Sequence, residues 1–358
     1  MAGEAEAGDG VMITGIDRRP TTVWLEANVA LVPPLTFDLV AGGRSNLTFK
    51  VTDTTGRSVA LRRPPTSHVL PTAHDMSREH RIITALAPTP VPVAATLGLC
   101  LDVEVTGAPF YVMEFVNGHV LRDAPTAEAT LDEAGRRRAS ESIVDVLAQL
   151  HAVDVDAVGL GDLGRREGYL SRQLQRWHGQ YDKSQIAGSE RLALVDRVYE
   201  RLSGAIPEQE GVAIVHGDYR LDNTMLADDG SVAAVLDWEI CTLGDPLADV
   251  GLLMVYWAEP SDLTTALGHA PTTVSGFASR AEMRARYREQ TGRDVSNLGY
   301  YTAFGYWKLA CILQGVAARY LAGAGGGDQS AGVEGYSIQV RMLTEAAAAA
   351  AAEAGLPT

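Results

Sequence analysis

The stretch His216-Gly217-Asp218-Tyr219-Arg220-Leu221-Asp222-Asn223 decides how this chain is interpreted. It follows an apolar run over residues 212–215, which predicts a short strand. Fourteen residues beyond Asn223, a second apolar run ends in Asp237-Trp238-Glu239. The side chains of Asp218, Asn223 and Asp237 are therefore expected at the ends of two short strands.

Oxygen-bearing side chains in this arrangement suit phosphoryl transfer. Mg²⁺ prefers hard oxygen ligands and takes few of them from protein, because water and substrate phosphates complete its shell. The transfer also needs one carboxylate that orients the attacking hydroxyl and accepts its proton. A surface loop rich in turn-forming residues is the alternative interpretation. The phosphotransferase interpretation is favoured, because the loop, its spacing, the second strand and the aspartate that follows that strand all fit it together.

The pattern HGD-x4-N resembles the catalytic loop of protein kinases, HRD-x4-N, and Asp237 stands where their DFG motif has its metal-binding aspartate. With Gly217 in place of arginine, and Asp-Trp-Glu in place of Asp-Phe-Gly, the match is closer to the aminoglycoside phosphotransferase family of small-molecule kinases. The resemblance implies that Asp218 is the catalytic base and that Asn223 and Asp237 are Mg²⁺ ligands.

The segment Gly244–Val250, GDPLADV, is similar to a further element of the same family. The resemblance implies that Asp249 braces the catalytic loop through backbone hydrogen bonds. It also implies that His216 supports the loop from behind the reacting groups. The proline at position 246 equally fits the first turn of an ordinary helix.

The sequence pattern of residues 36–115 predicts mainly β-strands, and two of these strands are separated by Gly42-Gly43-Arg44-Ser45-Asn46. Glycines let backbone N–H groups approach a phosphate closely. A Gly-Gly pair between strands is also common as a plain hairpin turn. Because it lies one hairpin before the strand SVALRR, the segment is predicted to bind nucleotide phosphates through Gly42, Gly43 and Ser45.

The strand SVALRR is predicted to supply the cation that holds nucleotide phosphates. The kinase pattern places a lysine there, whereas this chain has Arg62 and Arg63. Arg62 is the preferred candidate, since a guanidinium can clamp phosphate oxygens with two hydrogen bonds and stays charged. Lys50, on the preceding strand, is the alternative cation. The resemblance implies that Glu79, on a helix predicted over residues 74–87, pairs with this cation.

The order of the motifs predicts an α+β, protein-kinase-like bilobal fold. A small β-rich N-lobe over residues 1–116 is expected to bind nucleotide, and a larger helical C-lobe over residues 117–358 to carry catalysis and the acceptor. The resemblance implies that the segment around Glu114 and Phe115 is the hinge whose backbone meets adenine. ATP and Mg²⁺ are the implied cofactors. Stretches such as GGRSNLTF and FYVMEFVNG are similar to the branch related to kinase-like domains fused to acyl-CoA dehydrogenases.

Composition and charge exclude several classes of partner. The formal net charge of −15 disfavours nucleic acid and anionic lipid. No apolar run approaches the roughly 20 residues of a membrane helix, and the N-terminus is unlike a signal peptide. Cys100, Cys241 and Cys311 lie far apart in apolar contexts, as is typical of buried free thiols in a reducing compartment. A cytoplasmic location is therefore expected, and a homodimer is compatible with the sequence.

The expected partner is a small-molecule hydroxyl acceptor, for which two classes compete. An aminoglycoside is polycationic and would need a cleft lined by carboxylates. The aromatic and aliphatic residues of a helix predicted over 298–322 suit an acceptor with an apolar part, such as a hydroxyacyl compound, and this class is predicted. A catalytically weak, nucleotide-binding regulatory protein is the other alternative, because the usual lysine is missing.

Overall fold

The computed structural model describes residues 13–41, 46–66, 74–186, 191–260, 262, 270–321 and 330–357. The described residues form two compact units. One comprises residues up to Thr89 together with Val93–Asn117, and the other comprises Pro90–Pro92 and the residues from Gly118 onward. The first unit is built on a β-sheet and the second is mainly helical, which confirms the predicted fold class.

Apolar residues in alternation build the antiparallel sheet of the first unit. In the spatial order β1-β2-β3-β5-β4, the described strands are β1 (Thr36–Ala41), β2 (Leu47–Thr52), β3 (Ser58–Arg63), β4 (Thr96–Cys100) and β5 (Phe110–Glu114). Every second residue of β2 is buried, as in a strand with one face on a core. The turn between β2 and β3 is closed by Asp53, which accepts hydrogen bonds from the N–H groups of Thr55 and Arg57.

Helices in the described part of the first unit are α1 (Arg18–Val29), α2 (Met76–Leu86) and α3 (Val103–Thr106). Helix α2 begins after its N-cap Asp75, whose carboxylate accepts hydrogen bonds from the Ser77 and Arg78 N–H groups. The apolar face of α2 is buried, and Glu79 lies on the same face with only 1 % exposure. A carboxylate buried to this degree needs a cationic or hydrogen-bonding partner.

Helices dominate the described part of the second unit. They are α4 (Ala124–Thr130), α5 (Glu133–Ala152), α6 (Tyr169–Lys183), α7 (Ala193–Gly204), α8 (Leu247–Tyr256), α9 (Arg280–Thr291), α10 (Leu298–Arg319) and α11 (Ser330–Glu353). Short strands form two antiparallel pairs, in which β6 (Ala213–Val215) joins β9 (Thr242–Gly244) and β7 (Thr224–Leu226) joins β8 (Val232–Val235). The stretch 216–223 therefore connects a strand of one pair to a strand of the other.

Two glycines allow α8 and α10 to approach each other closely. A Cβ atom on Gly251 of α8 would stand 2.5 Å from the carbonyl carbon of Tyr301 on α10. A Cβ atom on Gly305 of α10 would meet Val255 Cγ2 of α8 at 3.0 Å. Larger side chains at these positions would force the helices apart, so the glycines fix the spacing of two helices that carry site residues.

The structure corrects two boundaries that the hydrophobic pattern predicts. One helix is predicted over residues 127–151, but Leu131 is extended and Asp132 caps a new helix, α5, through the Gly135 N–H. A strand is predicted over residues 94–105, but β4 ends at Cys100 because Asp102 caps α3. In both places a short capping side chain overrides the apolar pattern.

All three cysteines, Cys100, Cys241 and Cys311, are buried free thiols, as predicted. Burial raises the pKa of the Cys311 thiol, which keeps it protonated. None of the helices in the described ranges combines the length and the hydropathy needed to cross a membrane.

Candidate active site

The candidate catalytic loop, residues 216–223, runs from the end of β6 to the start of β7. Asn223 Nδ2 donates hydrogen bonds to the backbone oxygen and to Oδ2 of Asp218, each at 2.8 Å. One amide nitrogen thus holds both the main chain and the carboxylate of Asp218. Asn223 Oδ1 makes no hydrogen bond within the described ranges, so this oxygen can serve as a ligand.

Asp249, on α8, holds the beginning of the loop. Its Oδ2 accepts a hydrogen bond from the His216 N–H at 2.6 Å, and its Oδ1 accepts one from the Gly217 N–H at 2.8 Å. His151 Nε2 lies 3.4 Å from Asp249 Oδ2, and its Nδ1 lies 2.8 Å from the Tyr287 hydroxyl. Because a carboxylate only accepts, we assign the His151 proton to Nε2, and Nδ1 accepts from Tyr287.

The Asp249 carboxylate is kept charged although it is fully buried. Burial raises the pKa of Asp249, but the hydrogen bonds from His151 and from the loop backbone more than offset this, so the pKa lies below its usual value. Burial lowers the pKa of His151. His151 therefore supports Asp249 as a neutral hydrogen-bond donor.

Gly217 is the residue at which the loop turns. Its φ of 87° lies in the left-handed region, and a Cβ atom there would stand 3.1 Å from the Ile240 side chain. Its carbonyl oxygen accepts a hydrogen bond from Lys308 Nζ at 2.9 Å. Burial lowers the pKa of Lys308, against the nearby charges of Asp218 and Asp249, which raise it. A buried lysine thus fixes the residue that precedes Asp218.

Asp237 follows β8 with a φ of 64°, a left-handed conformation that costs a non-glycine residue roughly 1–3 kcal/mol. The preceding residue, Leu236, is held from both sides. Its N–H donates to the Asn223 backbone oxygen at 2.8 Å, and its carbonyl oxygen lies 2.9 Å from His216 Nε2. These contacts tie Asp237 to both ends of the catalytic loop, and strain held in this way is typical of functional positions.

Arg220 contacts the Asp218 carboxylate, and Tyr256 lies against Arg220. Arg220 Nε lies 3.5 Å from Asp218 Oδ1, and Arg220 Nη1 lies 3.0 Å from Asp222 Oδ2. The charge of Asp218 acts on the Tyr256 hydroxyl, and the Arg220 guanidinium carbon lies 4.6 Å from the centre of the Tyr256 ring. Burial, reinforced by the charge of Asp218, raises the pKa of Tyr256, so its hydroxyl stays a proton donor.

A cavity of about 270 Å³, here called the loop pocket, opens beside these residues. Arg220, Asp222 and Tyr256 line it, together with Arg122. The rest of its wall is mainly apolar and includes Leu253, Trp257, Leu309, Ile312 and Leu313. A larger cavity of about 630 Å³ in the same unit is lined by no residue of 216–223. The loop pocket is therefore the cavity associated with the candidate chemistry.

In the first unit, Arg62 of β3 is paired with Glu79 of α2. Arg62 Nε lies 2.9 Å from Glu79 Oε2. Glu79 also accepts hydrogen bonds from Asn46 Nδ2 at 2.8 Å and from the Tyr111 hydroxyl at 3.1 Å. The buried carboxylate is thus satisfied by several donors, and it orients the Arg62 guanidinium.

Arg63, the neighbouring candidate, has a different environment. Its guanidinium is buried and donates hydrogen bonds to the backbone oxygens of Gly15, Pro64 and Thr106. Burial also lowers its pKa. Arg63 therefore satisfies main-chain carbonyls, which favours Arg62 as the candidate for a phosphate.

The other predicted residues of the first unit lie at the end of β5 or outside the described residues. Glu114 is exposed and donates its N–H to the Ala95 oxygen at 2.8 Å. The Phe115 ring lies below Lys50, whose Nζ is 4.7 Å from the ring centre. Gly42, Gly43 and Ser45 lie outside the described residues.

Sequence reasoning missed the contributions of Lys308 and Tyr256. Lys308 did carry a signal, because it is one of three lysines and interrupts a mainly apolar helix. A charge on the buried face of a helix must be paired, so such a residue points to a structural or functional contact. Tyr256 carried no comparable signal, since its position near Asp218 depends on how α8 packs.

Three aromatic residues of α10, Tyr300, Tyr301 and Trp307, belong to the core, whereas Tyr306 is half-buried and lines the larger cavity. Tyr300 donates to the Leu202 backbone oxygen at 2.9 Å, and Tyr301 donates to Asp245 at 2.6 Å. Trp307 is also buried and donates to a backbone oxygen of α7. The aliphatic residues farther along α10 line the loop pocket in their place.

Comparison with known sequences identifies the family. The profile of the "Phosphotransferase enzyme family" matches residues 36–293. "Acyl-CoA dehydrogenase family member 10" of Mus musculus is 35 % identical over 285 residues, which cover 78 % of this chain and 26 % of that protein. "Acyl-CoA dehydrogenase family member 11" of Gallus gallus is 34 % identical over 312 residues, which cover 85 % of this chain and 39 % of that protein. The chain thus spans only a quarter to two-fifths of these relatives.

Comparison with solved structures gives the same fold. A protein of Ralstonia eutropha, described as a candidate aminoglycoside phosphotransferase, aligns with a TM-score of 0.77 and 33 % identity, covering 94 % of this chain and 98 % of that chain. The GDP complex of aminoglycoside 2'-phosphotransferase-IIIa aligns with a TM-score of 0.61 and 14 % identity, covering 93 % and 99 %, and shows likeness of fold alone. The predicted family and its acyl-CoA dehydrogenase-related branch are confirmed: the chain belongs to the phosphotransferase enzyme family of kinase-like small-molecule phosphotransferases.

Proposed function

We propose that the chain transfers the γ-phosphoryl group of ATP to a hydroxyl group of a small molecule that has a substantial apolar part. The observation that carries this proposal is the Asp218 carboxylate, which Asn223 and Arg220 orient beside the loop pocket. Asp249 and Lys308 hold the main chain just before it. A carboxylate fixed in this way can take a proton from a bound hydroxyl group without first reorganising.

Asp218 acts as the base in this reaction. It orients the acceptor hydroxyl and receives its proton, while a bond forms between the acceptor oxygen and the γ-phosphorus. The bond between the γ-phosphorus and the oxygen that bridges to the β-phosphorus breaks, and ADP leaves. Arg220 stabilises the Asp218 carboxylate before the transfer.

Asn223 and Asp237 fit a Mg²⁺ site by the chemistry of their donor atoms. Asn223 Oδ1 has no hydrogen bond within the described ranges, and Asp237 is held in a strained conformation next to a residue bonded to Asn223. Both residues offer the hard oxygens that Mg²⁺ prefers. When bound, the ion would supply charge neutralisation at the nucleotide phosphates.

Arg62 is proposed to hold nucleotide phosphates in the first unit. Glu79 contacts Nε of this guanidinium and so orients it, and an oriented guanidinium can bind an anion through two hydrogen bonds. We propose that the nucleotide phosphates also contact Gly42, Gly43 and Ser45. Adenine is proposed to contact the backbone near Glu114 and Phe115. Nucleotide complexes of fold neighbours, one with GDP and one with ATP, are in accord with it.

An acceptor with an apolar part, such as a hydroxyacyl compound, is favoured over an aminoglycoside. The loop pocket has an apolar wall, and Asp222 is the single carboxylate among the described residues that line it. Burying apolar ligand surface there contributes about 25 cal/mol per Å². A polycationic sugar would lose hydration without finding enough carboxylates. The three buried free thiols support a reducing, cytoplasmic setting for the reaction.

The experiment is an assay of ATP consumption with Mg²⁺, in which ω-hydroxy acids, their coenzyme A thioesters and aminoglycosides are offered in turn. We expect acceptor-dependent ADP formation with the hydroxyacyl compounds and a phosphorylated product of the expected mass. Efficient phosphorylation of aminoglycosides alone would show that the acceptor is an aminoglycoside and not a hydroxyacyl compound. Nucleotide binding without transfer to any acceptor would instead favour a nucleotide-binding regulatory protein.

A further inference from the structure

We propose that the loop pocket recognises an acceptor by a negatively charged group, which Arg122 and Arg220 bind, so that the preferred acceptor carries a free carboxylate or phosphate besides its hydroxyl. This inference rests on the proposed phosphotransfer and names a feature of its acceptor. The two guanidinium groups line the same cavity as the apolar wall. A pocket of this composition suits an amphiphilic anion.

Arg220 has an unmet hydrogen-bonding capacity. Its Nε atom is buried and donates no hydrogen bond, although the guanidinium lies near Asp218 and Asp222. A buried donor without an acceptor is unfavourable. An oxyanion of a ligand in the pocket would supply such an acceptor while the Arg220 guanidinium stays in place.

Arg122 supplies a second positive charge. Unlike Arg220, it has no carboxylate in close contact within the described ranges. It is exposed and makes no hydrogen bond or ion pair with any residue of the described ranges. Burial raises the pKa of Asp222 above its usual value, against the charges of Arg220 and Arg122, which lower it. Among the described residues that line the pocket, Arg122 and Arg220 are basic and Asp222 is acidic.

Guanidinium groups bind carboxylates and phosphates through paired hydrogen bonds, and they repel ammonium groups. The same residues therefore attract an anionic acceptor and exclude a polyamine. Because Arg220 lines the pocket and also contacts Asp218, an anion bound there would bring the acceptor next to the base.

Binding can be tested without turnover, by calorimetry on the full chain with hexanoate, hexyl phosphate and the neutral hexanamide. We expect one or both anions to bind at least about tenfold more tightly than the amide. In Arg122→Gln that preference should fall at least about fivefold. Arg138→Gln, at an exposed arginine of α5, is the matched control and should keep it. Equal binding of amide and anions, or an unchanged preference in Arg122→Gln, would overturn the inference.

A second assay separates this inference from the proposed function. Phosphorylation of 6-hydroxyhexanoate and 6-hydroxyhexanamide is compared in the wild type and in Arg122→Gln. We expect kcat/KM for the acid to fall in Arg122→Gln and kcat/KM for the amide to stay. Transfer to both acceptors at equal rates, with no effect of Arg122→Gln, would contradict the anion site. The proposed phosphotransferase activity would still be supported. Anion-selective binding without any transfer would contradict the proposed phosphotransferase activity but support the anion site.

Discussion

Lys308 Nζ and the Gly217 carbonyl oxygen are joined by a hydrogen bond of 2.9 Å between residues 91 positions apart. Lys308 is buried, and its Nζ also lies 5.7 Å from the centre of the Trp177 ring. The bond ties α10 to the peptide that leads into Asp218. Asp249 fixes the N–H group of the same glycine, so Gly217 is anchored on both sides of its Cα atom.

The first prediction concerns Lys308. Lys308→Met removes the ammonium and retains most of the volume, so the Gly217 carbonyl loses its donor and the Asp218 position loosens. Misplacement of a catalytic group by about 1 Å can cost on the order of 100-fold, and we expect kcat to fall by roughly 10- to 100-fold. Nucleotide affinity should stay within about twofold of the wild type.

The matched control is Lys183→Met, at the exposed end of α6. Steady-state kinetics and nucleotide titrations on both variants provide the measurement. Full kcat in Lys308→Met would show that Asp249 alone is enough to hold the loop.

The second prediction separates Arg62 from Arg63. Arg62→Ala should raise the nucleotide Kd by about tenfold or more, because a charged clamp on phosphate is lost. Arg63→Ala should leave nucleotide binding nearly unchanged. It should lower the free energy of unfolding by roughly 2–4 kcal/mol, since three backbone carbonyls lose a buried donor.

Titration with a fluorescent ATP analogue and urea denaturation of each variant check both parts. If Arg63→Ala abolished nucleotide binding and Arg62→Ala had no effect, the two arginines would have the opposite roles.

The strand SVALRR illustrates what sequence can and cannot decide. Its alternation predicts β3, but at the end of a strand two adjacent arginines fit either face, and only the packing of α2 brings Glu79 to Arg62. The pairing of Asp218 with Asn223 is predictable because only four residues separate them along the chain. The contacts of Lys308 and Tyr256 depend on tertiary packing. The aromatic residues of α10 misled the prediction because a core face and a ligand face have the same composition.

The third prediction concerns the Mg²⁺ ligands. Asp237→Asn removes a charge and retains a residue that tolerates the left-handed conformation, so the fold should be preserved. Mg²⁺-dependent nucleotide binding should weaken strongly in Asp237→Asn. Asn223→Ala should mainly reduce kcat, because Nδ2 no longer orients Asp218.

Nucleotide Kd values with and without Mg²⁺, and kcat for both variants, are the measurements. Nucleotide binding by Asp237→Asn that keeps the full Mg²⁺ effect would contradict the metal role of Asp237.

The fourth prediction is a pH dependence that Asp249 brings about. Its pKa is lowered in the folded state, so its contribution to stability is present above the unfolded pKa of about 3.8 and is lost as the pH falls through the folded value. Asp249→Asn should lower the free energy of unfolding by roughly 2–4 kcal/mol at pH 7. The loss should shrink on acidification.

Urea denaturation of the wild type and Asp249→Asn between pH 7 and pH 3 measures this difference. A difference that stays constant over that range would show that folding does not shift the pKa of Asp249.

The central claim is that Asp218 is the base of a phosphoryl transfer, and single-turnover transfer from bound ATP to a hydroxylated acceptor tests it most directly. Asp218→Asn should bind nucleotide with nearly unchanged affinity and transfer the phosphoryl group about 10²- to 10⁴-fold more slowly. Asp229→Asn, at an exposed aspartate in the turn between β7 and β8, should transfer at the wild-type rate. Transfer by Asp218→Asn at a rate close to that of Asp229→Asn would contradict the account.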